Sequence, residues 1–156
     1  MKFFRAAMAA SLLAACAGPT ASAATGNVLF NGTITATCTI TINSNGTMTV
    51  SSNLQSLSSH NGGGSAGSAQ VDTTGGVALS VDPVTTTTVP ASDTTATTWT
   101  PTFATSGAQT IAETGTATAL TVPGTSTVAV NLAGTKSGTN RFSAGDYQAT
   151  VTLRCE

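Results

Sequence analysis

Apolar and polar residues alternate along residues 28–42, and this is the clearest structural signal in the chain. The positions on one face, with only Leu29 out of step, are Val28, Phe30, Gly32, Ile34, Ala36, Cys38, Ile40 and Ile42. A period of two residues indicates an extended segment with one buried face. Because a strand usually has only about five or six residues, this run is long enough to serve two sheets or two molecules. In the second case the chain would be the subunit of a polymer.

The rest of the chain predicts short strands separated by turns, with no convincing helical period. Asn45-Gly46 predicts a hairpin, and a second hairpin is expected over residues 74–76. The threonine tract at residues 85–98 contains Pro90 and predicts an edge strand or an exposed crossing. The last strand alternates cleanly through Tyr147, Ala149, Val151, Leu153 and Cys155. Many short strands at this spacing predict an all-β fold, specifically a β-sandwich.

The first 23 residues have the features of a secretory signal peptide. Lys2 and Arg5 precede an apolar core at residues 6–17, and a small-residue cleavage site follows at residues 21–23, as in exported proteins. An alternative is that residues 13–16 form a lipobox, in which case Cys16 is lipidated and retained. No other apolar run approaches the roughly 18 residues that span a bilayer. The chain is therefore expected to be exported without a membrane span.

Composition excludes one class of partner and supports the fold class. Without residues 1–23, three basic side chains remain against six acidic ones. A nucleic-acid surface needs clustered Lys and Arg, so nucleic acid is not an expected partner. The chain has 33 threonines, whose branched side chains favour extended, pleated backbone.

Removal of the signal peptide leaves two cysteines, Cys38 and Cys155. An even pair in an oxidising compartment predicts a disulfide. The bond would bring the first half of the chain within about 7 Å of its penultimate residue. Two free buried thiols in neighbouring strands are the alternative.

Candidate catalytic and metal-binding residues are few. His60 is the single histidine and lies in a Gly/Ser loop, where a solvated role is the expectation. The acidic residues stand singly at turn-like places, and Cys and His are too few for zinc. No Gly-x-Ser-x-Gly turn is present. We therefore expect no enzyme activity, no metal and no cofactor.

Both ends of the mature chain resemble chaperone-usher pilus subunits, including the spore coat U-like branch. The segment GNVLFNG at residues 26–32, followed by Cys38, is similar to the N-terminal extension and first strand of that family. The segment AGDYQATVTL at residues 144–153 resembles its final strand. The chain departs from the family in its cysteines, because the usual disulfide joins two strands early in the domain. The middle of the chain does not discriminate.

The resemblance implies an immunoglobulin-like β-sandwich that lacks its last strand and is completed by a donor strand from another subunit. It implies a donor-strand extension at residues 24–36 and a pilin-like domain at residues 37–156. Strand addition would use backbone hydrogen bonds for affinity and alternate side chains for register. The inserting residues would be Val28, Phe30, Gly32 and Ile34. The groove would be flanked by Ile40, Ile42, Tyr147, Val151 and Leu153.

The function implied is that of a structural subunit of a pilus or surface coat that serves adhesion or biofilm formation. Its partners would be identical or related subunits, a periplasmic chaperone and an outer-membrane usher, and it would travel through the periplasm to the cell surface. The alternative is a monomeric, self-contained β-sandwich in which residues 28–42 form two consecutive strands. That protein could be anchored to the membrane through a lipid on Cys16.

Overall fold

The computed structural model describes residues 21–156. Most of the predicted signal peptide, including Cys16, lies outside the described residues. The chain divides into two units, Met1–Gly32 and Thr33–Glu156. In the first unit, residues 21–32 are exposed and have no assigned strand. The second unit contains all the described strands.

The described residues form twelve strands and no helix, which confirms the all-β prediction. The strands are β1 (Cys38–Ser44), β2 (Thr49–Val50), β3 (Ser56–Ser58), β4 (Gly67–Thr73), β5 (Val77–Val81), β6 (Thr86–Thr88), β7 (Thr98–Gly107), β8 (Ile111–Thr114), β9 (Thr118–Leu120), β10 (Gly124–Thr135), β11 (Gln148–Thr150) and β12 (Leu153–Cys155).

The largest sheet is built around β10, the longest strand. One edge of β10 pairs with β4 and then with β3, and β7 pairs along the other edge. β1 extends this sheet beyond β4, β2 pairs with β3, and β8 pairs with β7. A smaller sheet has the order β12-β5-β9, and β11 pairs with β6 in a two-stranded ribbon.

The core contains residues from both sheets. Its buried side chains are Ala69 and Val71 of β4, Leu79 and Val81 of β5, Phe103 of β7, Leu120 of β9 and Val128 of β10. Apolar faces of two sheets bury each other in a sandwich. The arrangement is therefore consistent with a β-sandwich.

Both predicted hairpins are wrong. β1 ends before Asn45 but pairs with β4, and β2 pairs with β3. Gly46 lies against the backbone of residues 65–67, where an added Cβ would stand 2.8 Å from the Gly67 nitrogen. The turn at residues 74–76 joins β4 of the large sheet to β5 of the small one. Gly75 and Gly76 have φ of 82° and 77° there, a conformation that glycine adopts without steric cost.

Two other expectations are confirmed. Part of the threonine tract forms β6, whose only partner among the described strands is β11. The predicted disulfide joins Cys38 to Cys155, whose Cα atoms are 6.2 Å apart. Among residues 21–156, no helix has the length and apolar character needed to cross a bilayer.

Candidate functional site

A groove of about 780 Å³ lies between the first strand and the last strands of the second unit. Ile42 of β1 lines one side of it. The other side is formed by residues 145–151 and Leu153, and the floor by side chains of β3, β4 and β10. The apolar floor residues are Leu57, Ala69, Val130 and Leu132. The groove is therefore long, open and apolar at its base.

The strands on both sides of the groove have an unpaired backbone edge. In the described part of the chain, β1 pairs only with β4, β12 only with β5, and β11 only with β6. An unpaired edge presents N–H and C=O groups that another strand can bind. The groove is therefore lined on both sides by edge strands.

Inward-facing residues of these strands are poorly covered. Ile42 is 64% exposed, although it lies on the same face of β1 as Cys38 and Ile40. Val151 and Leu153 are only half-buried, and both line the groove. These three side chains leave apolar surface of the groove in contact with solvent.

The disulfide ties together the two strands, β1 and β12, that line opposite sides of the groove. Cys38 is the first residue of β1 and Cys155 the last of β12, whereas the groove lining on the β1 side begins at Ile42. The covalent bond therefore fixes the spacing of the two strands at one end.

Residues 28–34 carry a row of exposed apolar side chains. Val28 is 77% exposed, Phe30 88% and Ile34 85%, and Leu29 is exposed as well. Gly32 lies between them and is also exposed. These are the residues predicted to insert into a partner. In the single chain they form a large apolar surface in contact with water.

Hydrogen bonds hold the segment that precedes β1. The Thr37 N–H donates to Thr74 Oγ1 at 2.8 Å, and the Thr74 hydroxyl donates to the Thr35 carbonyl at 3.1 Å. The Thr74 N–H donates to the Thr37 carbonyl. These bonds continue the pairing of β1 with β4 past Cys38.

Four of the five residues predicted to flank the groove line it, namely Ile42, Tyr147, Val151 and Leu153. Ile40 packs against the core instead. The floor residues of β3, β4 and β10 were not predicted, because no local pattern shows which distant strands meet.

A buried ion pair lies behind the groove wall, between residues that sequence reasoning did not connect. Lys136 Nζ is 2.7 Å from Asp93 Oδ1, and both side chains are almost fully buried. The ammonium also donates to the Thr95 carbonyl at 2.7 Å and lies 4.9 Å from the centre of the Phe142 ring. The Tyr147 hydroxyl donates to Asp93 Oδ2 at 2.6 Å. The two charges are thus neutralised and hydrogen-bonded, as burial requires.

The surroundings of Asp93 set its pKa. Burial opposes ionisation, but hydrogen bonds from Lys136, Tyr147 and Thr95 outweigh it and lower the pKa of Asp93 from 3.8 to about 2. The pKa of Tyr147 is raised, first by burial and then by its bond to the Asp93 carboxylate. At neutral pH Asp93 is therefore a carboxylate and Tyr147 a neutral phenol.

This cluster predicts a contribution to acid sensitivity. A carboxyl whose pKa is lowered by folding stabilises the native state above its unfolded pKa, and this is lost as pH falls through the folded value. For Asp93 the window runs from about pH 4 to about pH 2, and the loss is about 2 kcal/mol. Urea unfolding between pH 5 and pH 2 measures it.

Asp93→Asn tests the assignment. At pH 7 it should destabilise the protein by about 3 kcal/mol, since Lys136 is left buried without its counter-charge. Its stability should also fall less than that of the parent between pH 4 and pH 2. Asp146→Asn, which changes an exposed carboxylate, is the matched control. If the free energy of unfolding fell by the same amount between pH 4 and pH 2 in the parent and in Asp93→Asn, the prediction would be contradicted.

His60 is exposed, as expected of a solvated loop histidine, and its imidazole also has a hydrogen-bond partner. Its Nε2 is 2.9 Å from Glu113 Oε1, and the Thr102 hydroxyl also donates to Glu113. The pKa of Glu113 is lowered by the bond from Thr102 and then by His60. Within residues 21–156 no serine hydroxyl hydrogen-bonds to the imidazole. The pair therefore does not form a nucleophile, base and acid array.

Metal-binding geometry is absent from the described residues. Residues 21–156 contain no group of three or more His, Cys, Asp or Glu side chains placed to hold an ion.

The chain matches no protein-family model, no curated protein and no solved structure. A function therefore has to be inferred from the groove, the exposed residues 28–34 and the disulfide.

Proposed function

We propose that this chain is a structural subunit of an extracellular pilus or surface coat, which polymerises by donor-strand insertion. Its domain would be an immunoglobulin-like sandwich that lacks one strand. The donor would be the arm, defined as residues 24–36, of another subunit. The polymer would serve adhesion or biofilm formation at the cell surface.

The observation that carries the proposal is the groove between two unpaired edges. One inserted strand would bond to β1 on one side and to β11 and β12 on the other. Its alternate side chains would cover Ile42, Val151 and Leu153. Strand addition uses this combination of backbone edges for affinity and pockets for register.

The arm matches the groove in length and period. Its inserting residues Val28, Phe30, Gly32 and Ile34 stand at every second position. On the groove wall, burial alternates with the same spacing: Tyr147, Ala149, Val151 and Leu153 are partly buried, and the residues between them are exposed although Gln148 and Thr150 also line the groove. Each set covers about 20 Å of extended chain at roughly 3.3 Å per residue. One arm is therefore long enough to cover one wall.

Insertion into a neighbouring molecule is favoured over insertion into the same one. The bonds of residues 35–37 to Thr74 continue the direction of β1 past Cys38, so the chain would have to break them and reverse to enter its own groove. Insertion between copies is head-to-tail, and such contacts form filaments because they do not close.

The proposal implies helpers during export. An open apolar groove with two free edges is prone to nonspecific pairing, so the subunit would need a periplasmic chaperone and an outer-membrane usher. Export through the periplasm also supplies the oxidising conditions in which the Cys38–Cys155 bond forms.

Deletion of residues 24–34 tests the proposal. The shortened subunit should reach the periplasm, form its disulfide and fold, but should be missing from detergent-resistant ladders of assembled subunits. A variant in which residues 26–34 are replaced by a Gly/Ser/Thr segment of equal length controls for signal-peptide processing and should behave in the same way. Normal ladders from either variant would refute donor-strand polymerisation.

A further inference from the structure

Backbone pairing holds the β11 part of one groove wall only weakly, whereas Leu153 of the same wall belongs to β12 and is paired with β5. β11 pairs with β6 over three residues, in a ribbon of two strands. All three residues of β6 are exposed. An isolated two-stranded ribbon is at best marginally stable in water. The β11 part of the wall therefore needs a further attachment to keep its place while the groove is empty.

Tyr147, the residue before β11, provides such an attachment. It lines the groove, yet its hydroxyl reaches back to donate to Asp93 Oδ2 at 2.6 Å and accepts from the Ser143 N–H at 3.0 Å. Its ring meets that of Phe142 edge to face, with centroids 5.3 Å apart. One side chain thus joins the groove surface to the buried ion pair.

The acceptor of this bond is itself fixed. Asp93 receives hydrogen bonds from Lys136 and Thr95, and Lys136 is the residue after β10. β10 is the central strand of the large sheet. The bond from Tyr147 to Asp93 therefore connects the weakly paired wall to the most extensively paired strand of the fold.

Close packing supports the same junction. Gly145 has φ of 139°, and an added Cβ would stand 2.6 Å from Cγ of Pro90. The Ser143 hydroxyl donates to the Ser92 carbonyl at 3.2 Å. The wall thus meets the segment that carries Asp93 at several points. The hydrogen bond from the Tyr147 hydroxyl is the contact that reaches the buried Asp93 carboxylate.

We propose that Tyr147 is a positioning residue of the groove, which holds the β11 wall in its strand-accepting place through Asp93 and Lys136 before a partner strand arrives. A site that is already ordered binds more tightly, because less conformational entropy is lost on binding. The proposal rests on the groove being a strand-binding site, as proposed above. It adds that binding of the partner strand depends on the Tyr147 side chain as well as on backbone hydrogen bonds between strands.

Tyr147→Phe tests the proposal, because it removes one hydroxyl and keeps the ring that packs on Phe142. The background is the mature chain, residues 24–156, with Phe30→Asp to prevent self-assembly. A synthetic peptide of residues 24–36 is the probe. Thr127→Val is the control, because it removes an exposed hydroxyl of β10 away from the groove.

We expect Tyr147→Phe to weaken peptide binding about tenfold, as for a lost hydrogen bond to a charged group. Amide hydrogen exchange at residues 148–150 should also become about tenfold faster in the free subunit. Thr127→Val should change neither quantity by more than about twofold.

The two measurements separate the proposals. Unchanged exchange at residues 148–150 in Tyr147→Phe would overturn the positioning role whatever the peptide does. Faster exchange with unchanged peptide affinity would also overturn it, because the wall would be anchored without affecting acceptance. No peptide binding by the parent, with faster exchange in Tyr147→Phe, would refute the strand-binding groove instead.

Discussion

A mature subunit carrying Phe30→Asp should remain unassembled and should lose at least about a thousandfold in affinity for the groove of another copy. Phe30 is the largest of the predicted inserting side chains and is 88% exposed in the single chain. An aspartate there would bury an unpaired carboxylate against the apolar floor of the groove, at a cost of several kcal/mol. Size-exclusion chromatography and detergent-resistant ladders measure the loss.

Thr33→Asp is the matched control for this prediction. It introduces the same charge into the same arm, but at a position of opposite parity that would face away from the groove. Thr33→Asp should assemble within about tenfold of the parent, in line with the small effects of surface substitutions. Equal loss from both substitutions would mean that charge on the arm, rather than insertion of Phe30, prevents assembly.

Mixing two variants gives a sharper version of the experiment. Phe30→Asp should still accept an arm, whereas Val151→Asp should still donate one, because Val151 lines the groove. Each variant alone should stay monomeric, and an equal mixture should form dimers and nothing longer. Long polymers in the mixture would show that contacts other than arm and groove drive assembly.

Loss of the disulfide should have the largest effect on stability. Cys38 and Cys155 are separated by 117 positions, and closure of a loop of that size is worth about 4–5 kcal/mol on the chain-entropy model. Replacement of both cysteines by alanine should lower the free energy of unfolding by about that amount. Urea unfolding with and without a reductant measures it.

The double variant, in which alanine replaces Cys38 and Cys155, also controls for effects of the reductant other than cleavage of the disulfide. Reduction should destabilise the parent to the level of the double variant and leave the double variant unchanged. The single variant Cys38→Ala should match the double variant to within about 1 kcal/mol, because either change opens the loop. A reduced parent as stable as the oxidised one would show that the bond does not constrain the unfolded chain.

The features that could be predicted from the sequence are those that depend on a short stretch of residues or on amino-acid composition. The alternation of residues 147–155, the abundance of threonine and the two remaining cysteines led to an all-β fold with a Cys38–Cys155 bond. Each depends on a short window or on composition. None requires knowledge of which distant strands meet.

The features that sequence missed depend on long-range pairing. Asn45-Gly46 has the local signature of a hairpin, but β1 gains more hydrogen bonds by pairing with β4 along almost its whole length. The ion pair of Asp93 and Lys136 joins residues 43 positions apart, and no periodicity marks either one. The sequence predicts a turn-forming role for Asp93, because an isolated aspartate at a turn-like place is usually solvated.

The disulfide also affects how a filament would carry mechanical load. Tension on a filament would enter each subunit through residues 33–37 and reach Cys38, while the strand held in the groove pulls on β1 and on the last strands. The covalent bond to Cys155 lets force pass from one side of the groove to the other without stretching the chain between them. In a filament of the proposed kind the intervening residues would be shielded from extension, and the inserted strand, rather than the subunit core, would be the first contact to fail under tension.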